Sequence, residues 1–336
     1  MPRVATPRTR AKVNPPPDDA PLLPIPEDAG PLSVNPTERP TGLGFFSLDE
    51  EREVINILYY GREGSAKSTN GATLANLGRV LIINAEGGAK RRALAKRGIN
   101  VSNIQVWPQR GEPITIEGLQ AVHNLLQADL ADDPNSWVGV MFDSATEIHQ
   151  ALLEGVSSKR ISAMQDDGKN PDPWFTDRGD YGVMAKQFKH LLRRFRDLPC
   201  HFVVTALERR DVDEDTGAVQ YGPAVTPGIA NDLLGYVDFV LVAKAEDEDG
   251  GFRALTKRKG RWRAKDRFDV LPEIMGTPTV ERVLQYVNGD LTEDTDPLRH
   301  IKPTKGAPPP EDEGFRKPFR HPFLEEAHQG GTPAGG

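Results

Sequence analysis

Eight consecutive residues have the types and spacing to hold a phosphate. Gly61-Arg62-Glu63-Gly64-Ser65-Ala66-Lys67-Ser68 follows the pattern G-x-x-x-x-G-K-[ST], with Ala66 where the second glycine stands. Successive backbone N–H groups of such a loop, together with the following helix N-terminus, cradle phosphate oxygens. Lys67 neutralises charge at the β- and γ-phosphates, and the Ser68 hydroxyl ligates Mg²⁺. Gly61, Gly64, Ser65, Ala66, Lys67, Ser68 and Thr69 are therefore the expected nucleotide-binding set. Alanine at position 66 adds one methyl group, which a negative φ tolerates. The competing reading is a glycine-rich turn with an exposed lysine.

Two carboxylates extend this chemistry. Trp137-Val138-Gly139-Val140-Met141-Phe142-Asp143-Ser144 is an apolar run closed by an acid, the Walker B pattern, and Asp143 would hold Mg²⁺ through water opposite Ser68. An aspartate that caps a following helix has the same appearance. Nothing acidic follows Asp143 directly, so the base that orients an attacking water must come from elsewhere. Val80-Leu81-Ile82-Ile83-Asn84-Ala85 runs into Glu86-Gly87-Gly88, and a carboxylate at that strand end is the leading base candidate. Helix capping is the alternative role for Glu86.

These residues need strands that stop beside one another and helices that start there. Val54–Tyr60, Val80–Ala85, Ile104–Trp107, Trp137–Phe142, His201–Ala206, Tyr236–Ala243 and Phe252–Thr256 read as strands. Ala66–Leu77, Ala89–Arg97, Ile116–Leu130, Tyr181–Leu198 and Val280–Val287 read as helices. Leu119, Val122, Leu125 and Leu126 share one face of the third, and Met184, Phe188, Leu191, Leu192 and Phe195 belong to the fourth. Such alternation predicts an α/β fold with a mainly parallel sheet covered by helices on both faces. Ligands of such sheets sit at the carboxyl ends of the strands, where the motifs fall.

Composition bounds the rest. The chain has 336 residues, a net charge of −7 and 37% hydrophobic residues. It contains no apolar run long enough to span a bilayer and no leader-like apolar segment at its start. The single cysteine, Cys200, excludes a disulfide framework and a cysteine-based zinc site. A soluble intracellular protein is expected, without membrane partners. Of 29 prolines, 11 fall in residues 1–45 and 7 in residues 303–336, so both ends read as disordered tails. The folded domain is expected over 46–302. Phe315 to Phe323 reads as an aromatic-spotted linker or a docking peptide.

The order of phosphate loop, strand ending in Ala85-Glu86 and strand ending in Asp143-Ser144 resembles the RecA-like ATPases. The likeness is greatest to phage-encoded RecA-like recombination ATPases of the Sak type, fourth group, which are also described as AAA or ATP-binding proteins. It covers roughly 54–275. The resemblance implies a RecA-like P-loop core, ATP with Mg²⁺, and ATP hydrolysis in phage DNA recombination or repair. It also implies single-stranded DNA and a single-strand-binding protein as partners, a ring or filament of identical subunits, and the cytoplasm of a bacterial host. On this likeness Thr205 is a polar sensor of the γ-phosphate, followed by Arg209 and Arg210.

The polar stretch Ser157–Asp180 takes the place of a first DNA loop, with Lys159, Arg160, Lys169, Trp174, Phe175 and Arg178. Cations beside aromatics suit single strands, because bases stack while phosphates pair with charge. Five aspartates in the stretch weigh against that reading and leave a plain surface loop open. Residues 208–232 take the place of a second DNA loop. The stretch 253–267 carries eight cations against one acid and follows Glu246–Asp249, which suggests an acidic turn and an alternating basic strand. Lys257, Lys259, Lys265 and Arg267 are its candidates for trans-acting fingers or DNA contacts, the alternative being a solvated face. Gly42–Phe46 is a candidate for the segment lent to a neighbour. A replicative helicase-type motor, a small-molecule kinase and an ATP-dependent switch without DNA are the competing functions.

Overall fold

The apolar run at 56–61 forms strand β1 (Asn56–Gly61), buried along its whole length at the centre of a twisted sheet. The computed structural model describes residues 53–212, 217–245 and 252–297, all within the compact unit Arg52–Gly336. The Pro-rich ends, Gly42–Phe46, Phe315–Phe323 and the acidic Glu246–Asp249 lie outside the described residues.

The remaining strands are β2 (Val80–Asn84), β3 (Ile104–Trp107), β4 (Gly139–Asp143), β5 (His201–Val212), β6 (Val219–Pro223), β7 (Phe239–Ala245), β8 (Phe252–Leu255), β9 (Lys265–Asp266) and β10 (Ile274–Gly276). Their order is β10-β8-β7-β1-β5-β4-β2-β3, with β6 on β5 and β9 on β7. From β7 to β3 every neighbouring pair is parallel, and β8, β9 and β6 add antiparallel. The expected α/β core, a mainly parallel sheet with helices on both faces, is present. Its phosphate-loop strand β1 and its Walker B strand β4 are separated by one strand, β5.

Helices α3 (Ile116–Asp132), α4 (Ala145–Asp166), α5 (Arg178–Arg196) and α6 (Pro227–Tyr236) cover one face. Helices α1 (Lys67–Ala72), α2 (Arg91–Lys96) and α7 (Val280–Val287) cover the other. Alternation along β1 sorts its side chains accordingly: Leu58 and Tyr60 join the first core, Ile57 and Tyr59 the second. Phe142, Phe195 and Phe202 meet edge-on or stacked under α5.

Several expectations change. Ser157–Asp180 is mostly helical: α4 continues to Asp166, because Leu152, Leu153, Ser157 and Ile161 bury a narrow stripe while its polar residues face solvent. Only 167–177 remains as the connection to α5. Among the described residues of 208–232, β5 pairs with β6 and α6 follows, in place of an open loop. The basic run is not one strand: β8 ends at Leu255, residues 256–264 are loop and turn, and only Lys265–Asp266 rejoins the sheet. Leu125 stands out in solvent at 56% exposure, and His123 takes the buried position beside Leu119, Val122 and Leu126. The helix expected at 66–77 tightens into a 3₁₀ turn at Thr73–Asn76.

Candidate functional site

The phosphate loop leaves β1 at Gly61, where no other residue fits: a Cβ there would collide with the Ala243 carbonyl oxygen of β7. Gly64 takes φ +74°, and Ala66 takes φ 60° and ψ 22°, both left-handed. The negative φ expected at Ala66 is therefore wrong, and the alanine sits in a glycine conformation. This geometry turns the chain so that α1 begins at Lys67.

Lys67 is buried and folds back, its Nζ donating to the Arg62 carbonyl at 2.7 Å. Burial lowers its pKa, against the fields of Glu86 and Asp143. Ser68 Oγ donates to Asp143 Oδ1 at 2.7 Å, across from α1 to the end of β4. Thr205 Oγ1, from β5 between them, donates to the same oxygen at 2.7 Å and to the Phe142 carbonyl at 3.3 Å. Asp143 Oδ2 is buried and has no hydrogen-bond partner. Desolvation raises the Asp143 pKa, and the Ser68 and Thr205 hydroxyls oppose that rise.

Glu86 lies one strand over, because the β2–β4 register pairs Asn84 with Asp143. Its backbone N–H donates to the Asp143 carbonyl at 3.0 Å, and its side chain is exposed. At Gly88, a Cβ would come 3.3 Å from Asp143 Oδ2 and 3.5 Å from Ser68 Oγ. The bare glycine keeps space open where an orphaned carboxylate oxygen and a hydroxyl converge. That donor set, hard oxygens with room for waters and phosphate, fits Mg²⁺.

A family model for an AAA domain matches residues 53–268. The chain belongs to the AAA domain family. The AAA domain spans the phosphate loop, Glu86, Asp143 and Thr205, and the protein is a nucleotide-binding P-loop ATPase. Among solved structures, the crystal structure of the RadB recombinase is 15% identical, with 62% of this chain and 82% of that chain covered and a TM-score of 0.39. No curated protein matches the chain.

The structure brings Lys67, Ser68, Asp143, Thr205 and Glu86 together, with Thr69 half-buried in α1 beside them. Thr205 has its hydroxyl engaged with the carboxylate rather than free for a phosphate. The basic candidates have acceptors within the chain. Lys257 pairs with Asp269 at 2.5 Å, Lys259 with Glu273 at 2.5 Å, and Arg267 with Asp238 at 2.7 Å. Lys265 Nζ donates to the Leu234 and Val237 carbonyls at the end of α6, where a cation also complements the helix dipole.

Sequence reasoning passed over Lys244. It ends the apolar run Phe239–Ala243 at the carboxyl edge, on the strand paired with β1. A lone charge closing such a strand was the available signal.

Proposed function

We propose that this AAA domain is a Mg²⁺-dependent ATPase that binds single-stranded DNA and acts in DNA recombination or repair, as part of a homo-oligomer. The observation that carries the DNA reading is Trp174, 90% exposed, next to Phe175 at 57%. Both lie at the tip of an antiparallel helix pair: His149 of α4 faces Phe188 of α5, and Ser157 bonds Asp180. Since α4 starts at Asp143-Ser144, its far end and the 167–177 connection project beyond the carboxyl edge that carries the phosphate loop.

Three of the five aspartates in that stretch serve local structure. Asp177 caps α5, Asp180 is held by Arg160 and Ser157, and Asp172 accepts from the Trp174 N–H. Arg160 lies over the Phe175 ring at 5.9 Å, and Arg178 and Lys169, the latter 3.5 Å from Asp167, are the candidate phosphate contacts of the same stretch. Exposed rings supply stacking platforms of the kind single strands use.

In hydrolysis, the water oxygen bonds to the γ-phosphorus as the bond to the β–γ bridging oxygen breaks. ADP leaves with the electron pair, and Glu86 orients the water and takes its proton. The loop amides and Lys67 hold the β- and γ-phosphates, Lys67 exchanging the Arg62 carbonyl for phosphate oxygens. Ser68 and, through water, Asp143 would hold Mg²⁺, which neutralises charge on the phosphates. Thr205 fixes the Asp143 rotamer.

The test is ATPase turnover with and without single-stranded DNA, alongside DNA titration of Trp174 emission. Stimulation by DNA and quenching are expected. Trp174→Ala should cost ~1–3 kcal/mol of DNA affinity if one base stacks on it. Turnover indifferent to DNA, with unchanged emission, removes the DNA assignment and leaves an ATP-dependent switch.

A further inference from the structure

A cavity of about 360 Å³ opens beside the phosphate loop, lined by Arg62, Glu63, Ser65, Glu208, Lys244 and Trp262. Lys244 Nζ lies 3.5 Å from the centroid of the Trp262 ring. The same ring stacks on Tyr221 at 5.1 Å and 14°, and its Nε1 donates to Glu208 at 3.0 Å. The indole is therefore held by one stacked ring and one hydrogen bond, and the ammonium lies over it. Among the described residues, Lys244 has neither a carboxylate partner nor a hydrogen-bond acceptor. The four basic candidates of 253–267 all have oxygen partners.

Its position decides what it faces. Gly61 packs against the Ala243 carbonyl, so the end of β7 touches the first residue of the phosphate loop. The Lys67 ammonium reaches the Arg62 carbonyl, and in a phosphate loop that lysine serves the β- and γ-phosphates. The terminal phosphates thus belong at the Arg62 end of the loop, on which this cavity opens. Arg62 and Glu208 approach each other there at 3.7 Å, and Glu208 acts electrostatically on both Lys67 and Lys244.

We propose that Lys244 is a phosphate-facing cation supplied within the chain, leaving the Trp262 ring to meet the terminal phosphate and stabilise the charge that develops there. A contact between an ammonium and an aromatic face is weaker than a charge-assisted bond to a phosphate oxygen, so the exchange runs toward the nucleotide. Partial burial lowers the Lys244 pKa, with Arg62 and Lys259 adding to the effect. An arriving polyanion acts in the opposite direction and favours the charged ammonium. The cation acts on the γ-phosphoryl as its bond to the β–γ bridging oxygen breaks, and it exchanges no proton. The inference rests on the ATPase assignment alone, not on DNA binding.

The full chain with Lys244→Met keeps an apolar stem over Trp262 and loses the charge. Its kcat should fall on the order of 10²-fold, the scale for losing one preorganised charge-stabilising group, while ADP affinity stays within twofold. Lys244→Arg should restore most of the turnover. A non-hydrolysable ATP analogue should change tryptophan emission in the wild type, ADP should not, and the change should vanish in Lys244→Met and in Trp262→Phe. A kcat within twofold of wild type in Lys244→Met, or an emission change that persists there, overturns the proposal. If Lys244→Met does not fold, Lys244→Gln and Lys244→Arg decide by the same readouts. A wild type without ATPase activity overturns both this inference and the ATPase assignment, whereas turnover indifferent to DNA touches only the DNA reading.

Discussion

Ala66→Gly should stabilise the protein, contrary to the usual effect of adding a glycine. Ala66 sits at φ 60° and ψ 22°, where a Cβ crowds the following carbonyl and costs ~1–2 kcal/mol. Glycine removes that strain but widens the unfolded ensemble, a loss of ~0.4–1 kcal/mol. The balance is a gain of about 0.5–1 kcal/mol, which for a domain of this size raises Tm by about 2 °C. Ala93, exposed within α2, is the internal control. There the same change removes a good helix former and should lower stability by about 1 kcal/mol. Ala66→Val should move opposite to Ala66→Gly, because a β-branched residue is a true outlier at positive φ. Thermal unfolding of the three variants against wild type, nucleotide-free and in one buffer, reads all of this. If Ala66→Gly and Ala93→Gly lose stability alike, the left-handed turn is not where the strain lies.

Glu86→Gln should bind ATP with wild-type affinity and lose turnover, because the amide keeps the shape and its backbone bond to Asp143 but is a far weaker base; undiminished steady-state hydrolysis moves the base elsewhere. Asp143 predicts a pH effect. Its folded pKa is raised, so the metal-free native state binds a proton more readily than the unfolded chain, and its contribution to stability falls as pH rises from the ordinary carboxylate range through the raised value. Mg²⁺ needs the ionised form, so the Mg²⁺-induced rise in Tm with nucleotide should shrink as pH drops through that window. In Asp143→Asn both pH dependences should be absent. Equal Mg²⁺ effects in the two proteins at every pH would falsify the metal role.

The parts of the candidate site were legible because each is contiguous. The phosphate loop carries its own turn, lysine and hydroxyl within eight residues, and Asp143 and Glu86 close apolar strands whose period is plain. What the sequence could not carry was partnership across distance. Thr205 has the right place for a sensor, but only the β4–β5 pairing shows its hydroxyl spent on Asp143. The basic run looked like one surface, yet its cations answer Asp238, Glu273, Asp269 and the end of α6, carboxylates and carbonyls with no local signature. Helix α4 was not read from the sequence, because a long helix that leaves the sheet needs only a thin apolar stripe. Lys244 went unremarked because one lysine after a strand becomes meaningful only once β7 lies against β1.

Strand β5 has a mechanical consequence. It runs twelve residues without interruption, ~40 Å of extended chain, pairing first with β1 and β4 and then with β6. Thr205 touches the Asp143 carboxylate, and three residues later Glu208 reaches the Trp262 over which Lys244 lies. The hairpin lies beyond. No break in pairing separates Thr205 from Val212 and Val219, so a shift of Thr205 as the site fills would be passed along the paired strand toward them. A body that grips that hairpin would hold the same strand that carries Thr205 and Glu208.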